Sequence, residues 1–219
     1  MLSPPVVPPP RRTTGRVALV LGLCSALLLT LVLLKWHPLV TADRDVARTT
    51  HRWAVDEPGL THVCRILTDW VWDPWTMRLL AAVAAGWLLW RYAARWTAVW
   101  LAVTCVLAAL VQQLLKVAVG RSRPVWRDPV DSAHYAAFPS GHALTATVVC
   151  GLLLWLLRRY DAPRAVRRTA LVAAVISVVG VGVTRVWLGV HWMSDVLGGW
   201  LLGALAATLA VLAHRRWSP

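Results

Sequence analysis

The sequence predicts an all-α integral membrane protein, a six-helix bundle with an interfacial amphipathic segment between the first two spans. Three observations predict it. Of the 219 residues, 58% are hydrophobic and 15% charged, with a mean hydropathy of +0.58; soluble domains run nearer half apolar and a quarter charged. The apolar residues fall into long runs parted by short arginine-rich connections. The 15 tryptophans gather near the ends of those runs, as the aromatic belts of membrane proteins do.

Met1–Pro10 is rich in proline, and residues 1–16 read as a disordered Pro/Arg-rich cytoplasmic tail. The run Val17–Leu34 is longer than the roughly 7–15-residue core of a signal peptide, so it is expected to be retained as a span. Lys35–Pro74 is too polar to cross a bilayer. Its Val46, Trp53, Leu60, Val63, Ile66, Leu67 and Trp70 partly fit one helix face, so both an interfacial helix and an ordinary amphipathic loop fit. Five further runs follow: Trp75–Trp90, Trp96–Leu115, Ala143–Leu157, Thr169–Thr184 and Met193–Ala213. A span needs about 20 residues, so the first and third of these borrow flanking ones. Residues 17–213 form one domain, and 214–219 a short cytoplasmic tail.

Charge orients the bundle. With the N-terminus inside, the inner segments hold Arg11, Arg12, Arg16, Arg91, Arg95, Arg158, Arg159, Arg164, Arg167, Arg168, Arg215 and Arg216 against the single acid Asp161. Short basic loops belong on the cytoplasmic side, so both termini are expected there. The net charge of +13 is thereby a topology signal, and no nucleic-acid motif accompanies it. The four cysteines are widely separated, with neither a disulfide framework nor a zinc spacing. Small residues in Met193–Ala213 permit close helix packing without specifying an oligomer.

Three segments at the outward ends of the last four runs carry unusual chemistry: Lys116 to Arg123-Pro124, Pro139-Ser140-Gly141-His142, and Thr184-Arg185 to His191 and Asp195. Ionisable groups at such depth are expensive and mark function. Lys116, Arg123 and Arg185 supply three cations, two of them planar forks suited to oxyanions. Ser140 and Gly141 precede a helix, where free N–H groups and the macrodipole favour an anion. His191 and Asp195 are four apart and share a helical face, so the carboxylate can hold one imidazole nitrogen and leave the other as a lone pair. No serine or cysteine is better placed to attack, and histidine can carry a phosphoryl group. His142 is then free to serve as acid and base. No carboxylate cluster suits magnesium.

These segments resemble the tripartite signature of the type-2 phosphatidic acid phosphatase superfamily: K-x6-R-P, P-S-G-H and S-R-x5-H-x3-D. Lys116, Arg123, Pro124, Pro139, Ser140, Gly141, His142, Arg185, His191 and Asp195 match, and Thr184 stands where the pattern has serine. The resemblance implies metal-independent dephosphorylation of a lipid phosphate through a phosphohistidine, without a cofactor. It implies His191 as nucleophile, Asp195 as its orienting partner and His142 as acid and base. Lys116, Arg123, Ser140, Gly141 and Arg185 would hold the phosphate. Asp195 is expected to raise the basicity of His191.

The substrate is expected to be a lipid from the bilayer, its tail entering laterally between helices at an outward-facing site of the plasma membrane. An isoprenoid diphosphate carrier such as undecaprenyl diphosphate leads; phosphatidic acid and phosphatidylglycerol phosphate are the alternatives. Vanadium haloperoxidases share the signature but are large soluble proteins, and a non-catalytic lipid-binding protein would not need intact His142, His191 and Asp195. Arg121 and Arg127 flank the motif without matching it and read as attractors of anionic headgroups. His37, His51, His62, His134 and His214 lack comparable partners and read as surface or interfacial.

Overall fold

The computed structural model describes residues 11–217, and it is helical throughout, with no strand among them. Helix α1 spans Arg11–Leu33, α2 His37–Asp56 and α3 Pro58–Ile66, the last continued by a π-helical turn at Leu67–Val71. Then follow α4 Pro74–Tyr92, α5 Arg95–Val119, α6 Gly141–Arg159, α7 Arg164–Trp187 and α8 Met193–Trp217. The expected tail over Met1–Pro10 lies outside the described residues. Arg11–Arg16, assigned to that tail from sequence, is instead the start of α1, which continues without a break into the apolar run. At the other terminus α8 runs through the predicted tail to Trp217, because His214 is packed inside the bundle.

Among the described residues, five helices are long and apolar enough to cross a membrane: Arg12–Leu33, Arg95–Val119, Gly141–Arg159, Arg164–Trp187 and Met193–Trp217. The predicted second span, α4, is well formed but less apolar, since Arg78 and Arg91 sit near its ends. Asp73 caps its start by accepting the Trp75 N–H at 2.7 Å, and Pro74 occupies the first turn, where no donor is missed. It packs on α5 and α6 and turns Leu79, Val83, Trp87 and Trp90 outward.

Helix α6 is the axle of the bundle. Half of its membrane stretch is buried, against 22–33% in the other four. Its Leu144, Val148, Val149 and Leu152 join Trp72, Met77, Leu101 and Val181 in the main core. Against α8 the approach is so close that side chains are excluded. A Cβ at Gly199 would lie 2.7 Å from the Ser140 carbonyl oxygen, and one at Gly203 would lie 2.8 Å from that of Leu144. Small residues bring helix backbones together in this way where lipid supplies no hydrophobic drive. This contact sets the first turn of α8 beside the start of α6.

Between the first two predicted spans, the segment is helical, as α2 and α3, rather than a loop. Asp43, Ala47, His51 and Ala54 make the buried stripe of α2 at helical spacing, while Arg44, Arg48, Arg52 and Trp53 are directed away from it. The buried stripe packs on α7 and α8.

Candidate active site

The three signature segments converge at one end of the bundle. Lys116 lies in the last turn of α5, which Gly120 ends in a left-handed cap with φ of 57°. Ser140 precedes α6, Arg185 closes α7, and Asp195 opens α8. The chain between α5 and α6 is irregular and is gathered by the cations. The Lys116 ammonium donates to the Ala136 carbonyl. Arg123 donates to the carbonyls of Tyr135 at 3.0 Å, His134 at 3.2 Å and Val190 at 2.5 Å.

His191 is 1% exposed, in the short connection between α7 and α8. Its Nδ1 lies 3.3 Å from Asp195 Oδ2, and its Nε2 lies 3.1 Å from an Arg123 Nη1 that can only donate. The two contacts fix the tautomer: Nδ1 carries the proton toward the carboxylate, and Nε2 bears the lone pair. Asp195 has no exposed surface. Its Oδ2 also accepts the Trp192 N–H at 2.9 Å, as an acid in the first turn of a helix can. Helix capping and imidazole orientation are thus carried by the same oxygen.

Burial, followed by the charges of Arg123, Arg185 and Lys116, pushes the His191 pKa well below its usual 6.5. Desolvation and the three cations set the net direction, whatever Asp195 adds to the basicity of the ring. Burial also lowers the Arg123 guanidinium from its usual value.

The other predicted residues surround this pair. Arg185 is 5% exposed, with Nη1 3.8 Å from Asp131 Oδ2. His142, in the first turn of α6, has Nε2 3.8 Å from Asp73 Oδ2. Gly141 faces the Gln112 side chain, 3.3 Å from where its Cβ would be. Six buried side-chain polar atoms among the described residues have no partner, and two of them, the Ser140 hydroxyl and Arg185 Nε, lie in this site. Buried donors are rarely left so, and both belong to the predicted phosphate-binding set. Thr184 spends its hydroxyl on the Val181 carbonyl of its own helix at 2.9 Å.

Sequence reasoning missed three members of the cluster: Arg121, Asp43 and Ser194. Arg121, read as a headgroup attractor, turns inward and donates to Asp195 Oδ1 at 2.6 Å and Asp43 Oδ2 at 2.7 Å. Arg127 is exposed, as are His37 and His62. His51 is not at the surface: it is 6% exposed, stacked on Trp126 at 4.0 Å, with Nε2 3.3 Å from Asp128. His214 is likewise buried. The one signal for Asp43 in the sequence is its place on the apolar side of α2.

The family model of the PAP2 superfamily matches residues 97–219. The chain is 29% identical to a phosphatidylglycerophosphatase B of Bacillus subtilis, over 77% of this chain and 82% of that one. A lipid A 1-phosphatase of Rhizobium etli is 32% identical over 55% of this chain and 52% of its own length. An undecaprenyl-diphosphatase of Sulfolobus acidocaldarius is 36% identical over 34% and 32%, respectively. The fold matches the crystal structure of a transmembrane PAP2-type phosphatidylglycerolphosphate phosphatase from Bacillus subtilis with a TM-score of 0.80 and 23% identity, covering 92% of this chain and 97% of the other. A bundle of membrane-spanning helices that gathers the tripartite signature at one end with Thr184 as its one departure, matched by this family over more than half its length, belongs to the PAP2 superfamily and is a multi-pass membrane phosphatase.

Proposed function

We propose that the enzyme removes phosphate from a lipid phosphate or diphosphate at the outer face of the plasma membrane, through a phosphohistidine on His191. The observation that carries this reading is a buried imidazole whose Nδ1 is held by Asp195 and whose Nε2 faces Arg123, beside two unpartnered polar atoms at Ser140 and Arg185.

His191 Nε2 attacks phosphorus, forming an N–P bond as the bond to the lipid oxygen breaks. Asp195 accepts the Nδ1 proton's hydrogen bond and stabilises the cationic ring that forms. His142 gives the leaving oxygen its proton, then takes one from water as water attacks phosphorus and the N–P bond breaks. Lys116, Arg123, Arg185, the Ser140 hydroxyl and the N–H groups opening α6 neutralise the equatorial oxygens throughout.

An apolar groove supports a place for the tail. It measures about 790 Å³ and runs between α4, α6 and α7 from Met77 to Tyr160. Its upper end is one helical turn from Asp73, the residue facing His142. A leaving group protonated by His142 would thus continue directly into the groove. In this reading α4 is a sixth span, and the arginine-rich ends opposite the site face the cytoplasm together with both termini.

Undecaprenyl diphosphate is the leading substrate, because an outward site suits recycling of a carrier lipid. Phosphatidylglycerol phosphate is the second, favoured by the breadth of the match to the Bacillus subtilis relative. The test is phosphate release by detergent-purified enzyme in excess chelator, offered these two lipids, phosphatidic acid and a soluble sugar phosphate. Chelator-resistant release from one lipid, lost in His191→Ala, is expected. Release that survives that substitution would remove His191 as nucleophile, and preference for the sugar phosphate would overturn the lipid reading.

A further inference from the structure

Asp43 lies on α2, outside every signature segment, yet only 1% of it is exposed. A carboxylate so buried is costly unless fully paired. Its Oδ1 accepts the Ser194 N–H at 2.9 Å, and its Oδ2 accepts the Ser194 hydroxyl at 2.6 Å and Arg121 Nη2 at 2.7 Å. Arg121 divides its fork. While Nη2 serves Asp43, Nη1 donates to Asp195 Oδ1 at 2.6 Å and to the Ser194 oxygen at 2.7 Å. Trp192 lies over the guanidinium, 5.8 Å from its ring centroid, and is itself tied by its indole N–H to the Ser122 carbonyl at 2.8 Å.

Arg121 and Arg123, two of the three arginines between α5 and α6, therefore have different roles. Arg123 reaches the lone-pair side of His191, where a phosphate would sit. Arg121 holds the other carboxylate oxygen of Asp195, the one that does not face the imidazole, and both its terminal nitrogens are engaged. Remove it, and two buried carboxylates are left with one cation fewer between them. Asp195 would then take up a proton or rotate away, and its grip on the Nδ1 proton of His191 would weaken.

We propose that Arg121, anchored by Asp43, is a positioning residue that holds Asp195 ionised and aimed at His191. The inference rests on the role given above to the His191–Asp195 pair. It also makes the interfacial helix part of the catalytic apparatus, because α2 carries the anchor and its seating on the bundle is tied to the dyad. A lysine could replace the charge but not the fork, since one ammonium has no planar pair of nitrogens for two carboxylates.

The test is a double-mutant cycle in detergent with the preferred lipid, reading kcat and KM separately, with thermal unfolding as control. Arg121→Met is expected to lower kcat by about 10- to 100-fold, as loss of a group orienting an active-site residue does, with KM within about twofold. Arg121→Lys should recover part of that loss. In an Asp195→Asn background, Arg121→Met should cost nothing further, because the carboxylate it serves is gone. Additive losses, a raised KM at unchanged kcat, or wild-type kcat would each overturn the proposal. If Arg121→Met does not purify folded, Arg121→Lys carries the same cycle, with a loss on the order of tenfold expected. Failure of the underlying reading is distinguishable: there, Asp195→Asn alone would leave kcat intact.

Discussion

Helix α8 has a buried histidine at each end. His191 stands just before its start and His214 lies in its last turn, and 1% and 0% of them are exposed. Around His191 stand Asp195 and the charges of Arg123, Arg185 and Lys116. Around His214 stand Trp155 and Trp100, with ring centroids 4.8 and 5.9 Å away and edge-on, and the Thr97 hydroxyl at 3.2 Å from Nε2. Burial alone therefore does not make a histidine reactive. What differs is whether its surroundings fix a tautomer and supply charge for an incoming anion. The aromatic pocket of His214 offers packing; the ionic pocket of His191 is the one the proposed chemistry needs.

That contrast can be broken experimentally. The largest effect is expected at His191→Ala, which should cut phosphate release by at least about 10⁴-fold, as loss of a nucleophile acting within a triad-like unit does. Asp195→Asn should lower kcat by about 10²- to 10⁴-fold, since the wrong imidazole tautomer then dominates. A pH profile sharpens the comparison further. The active form of His191 is neutral and its pKa is depressed, so acid must go below the usual 6.5 before the imidazole is protonated. The acid limb of kcat/KM, which reports the free enzyme, should lie below that value; a limb above it would show the carboxylate outweighing the cations. The smallest effect belongs to the opposite end. His214→Phe should leave kcat within about twofold and shift stability by about 1 kcal/mol in either direction, read by thermal unfolding in detergent. A large loss of activity there would show that the two ends are coupled.

The signature residues were legible because each block is local. His191 and Asp195 meet through helical spacing, and Lys116 and Arg123 bracket one helix end, so their relation needs no knowledge of the rest of the chain. Arg121 was misjudged for the complementary reason. Its two carboxylates come from α2 and α8, 78 and 74 residues away in sequence. Nothing in the local pattern separates an arginine turned inward from one turned to headgroups. His51 and His214 were misplaced likewise, since their aromatic partners, Trp126 stacked on the one and Trp100 and Trp155 edge-on to the other, are distant in sequence.

From the sequence alone come the helical membrane class, five of the six predicted spans other than their exact ends, and the three signature segments that the fold brings to one end of the bundle. All of these follow from hydropathy and short-range spacing, which act within one helix. Tertiary structure alone decided that α2 is a seated helix with a buried anchor. It also decided that Gly199 and Gly203 let α8 close on α6, and that burial, followed by three converging cations, bears on the state of His191. Electrostatic energy depends on distance through space and on the exclusion of water, and both are properties of the assembled bundle.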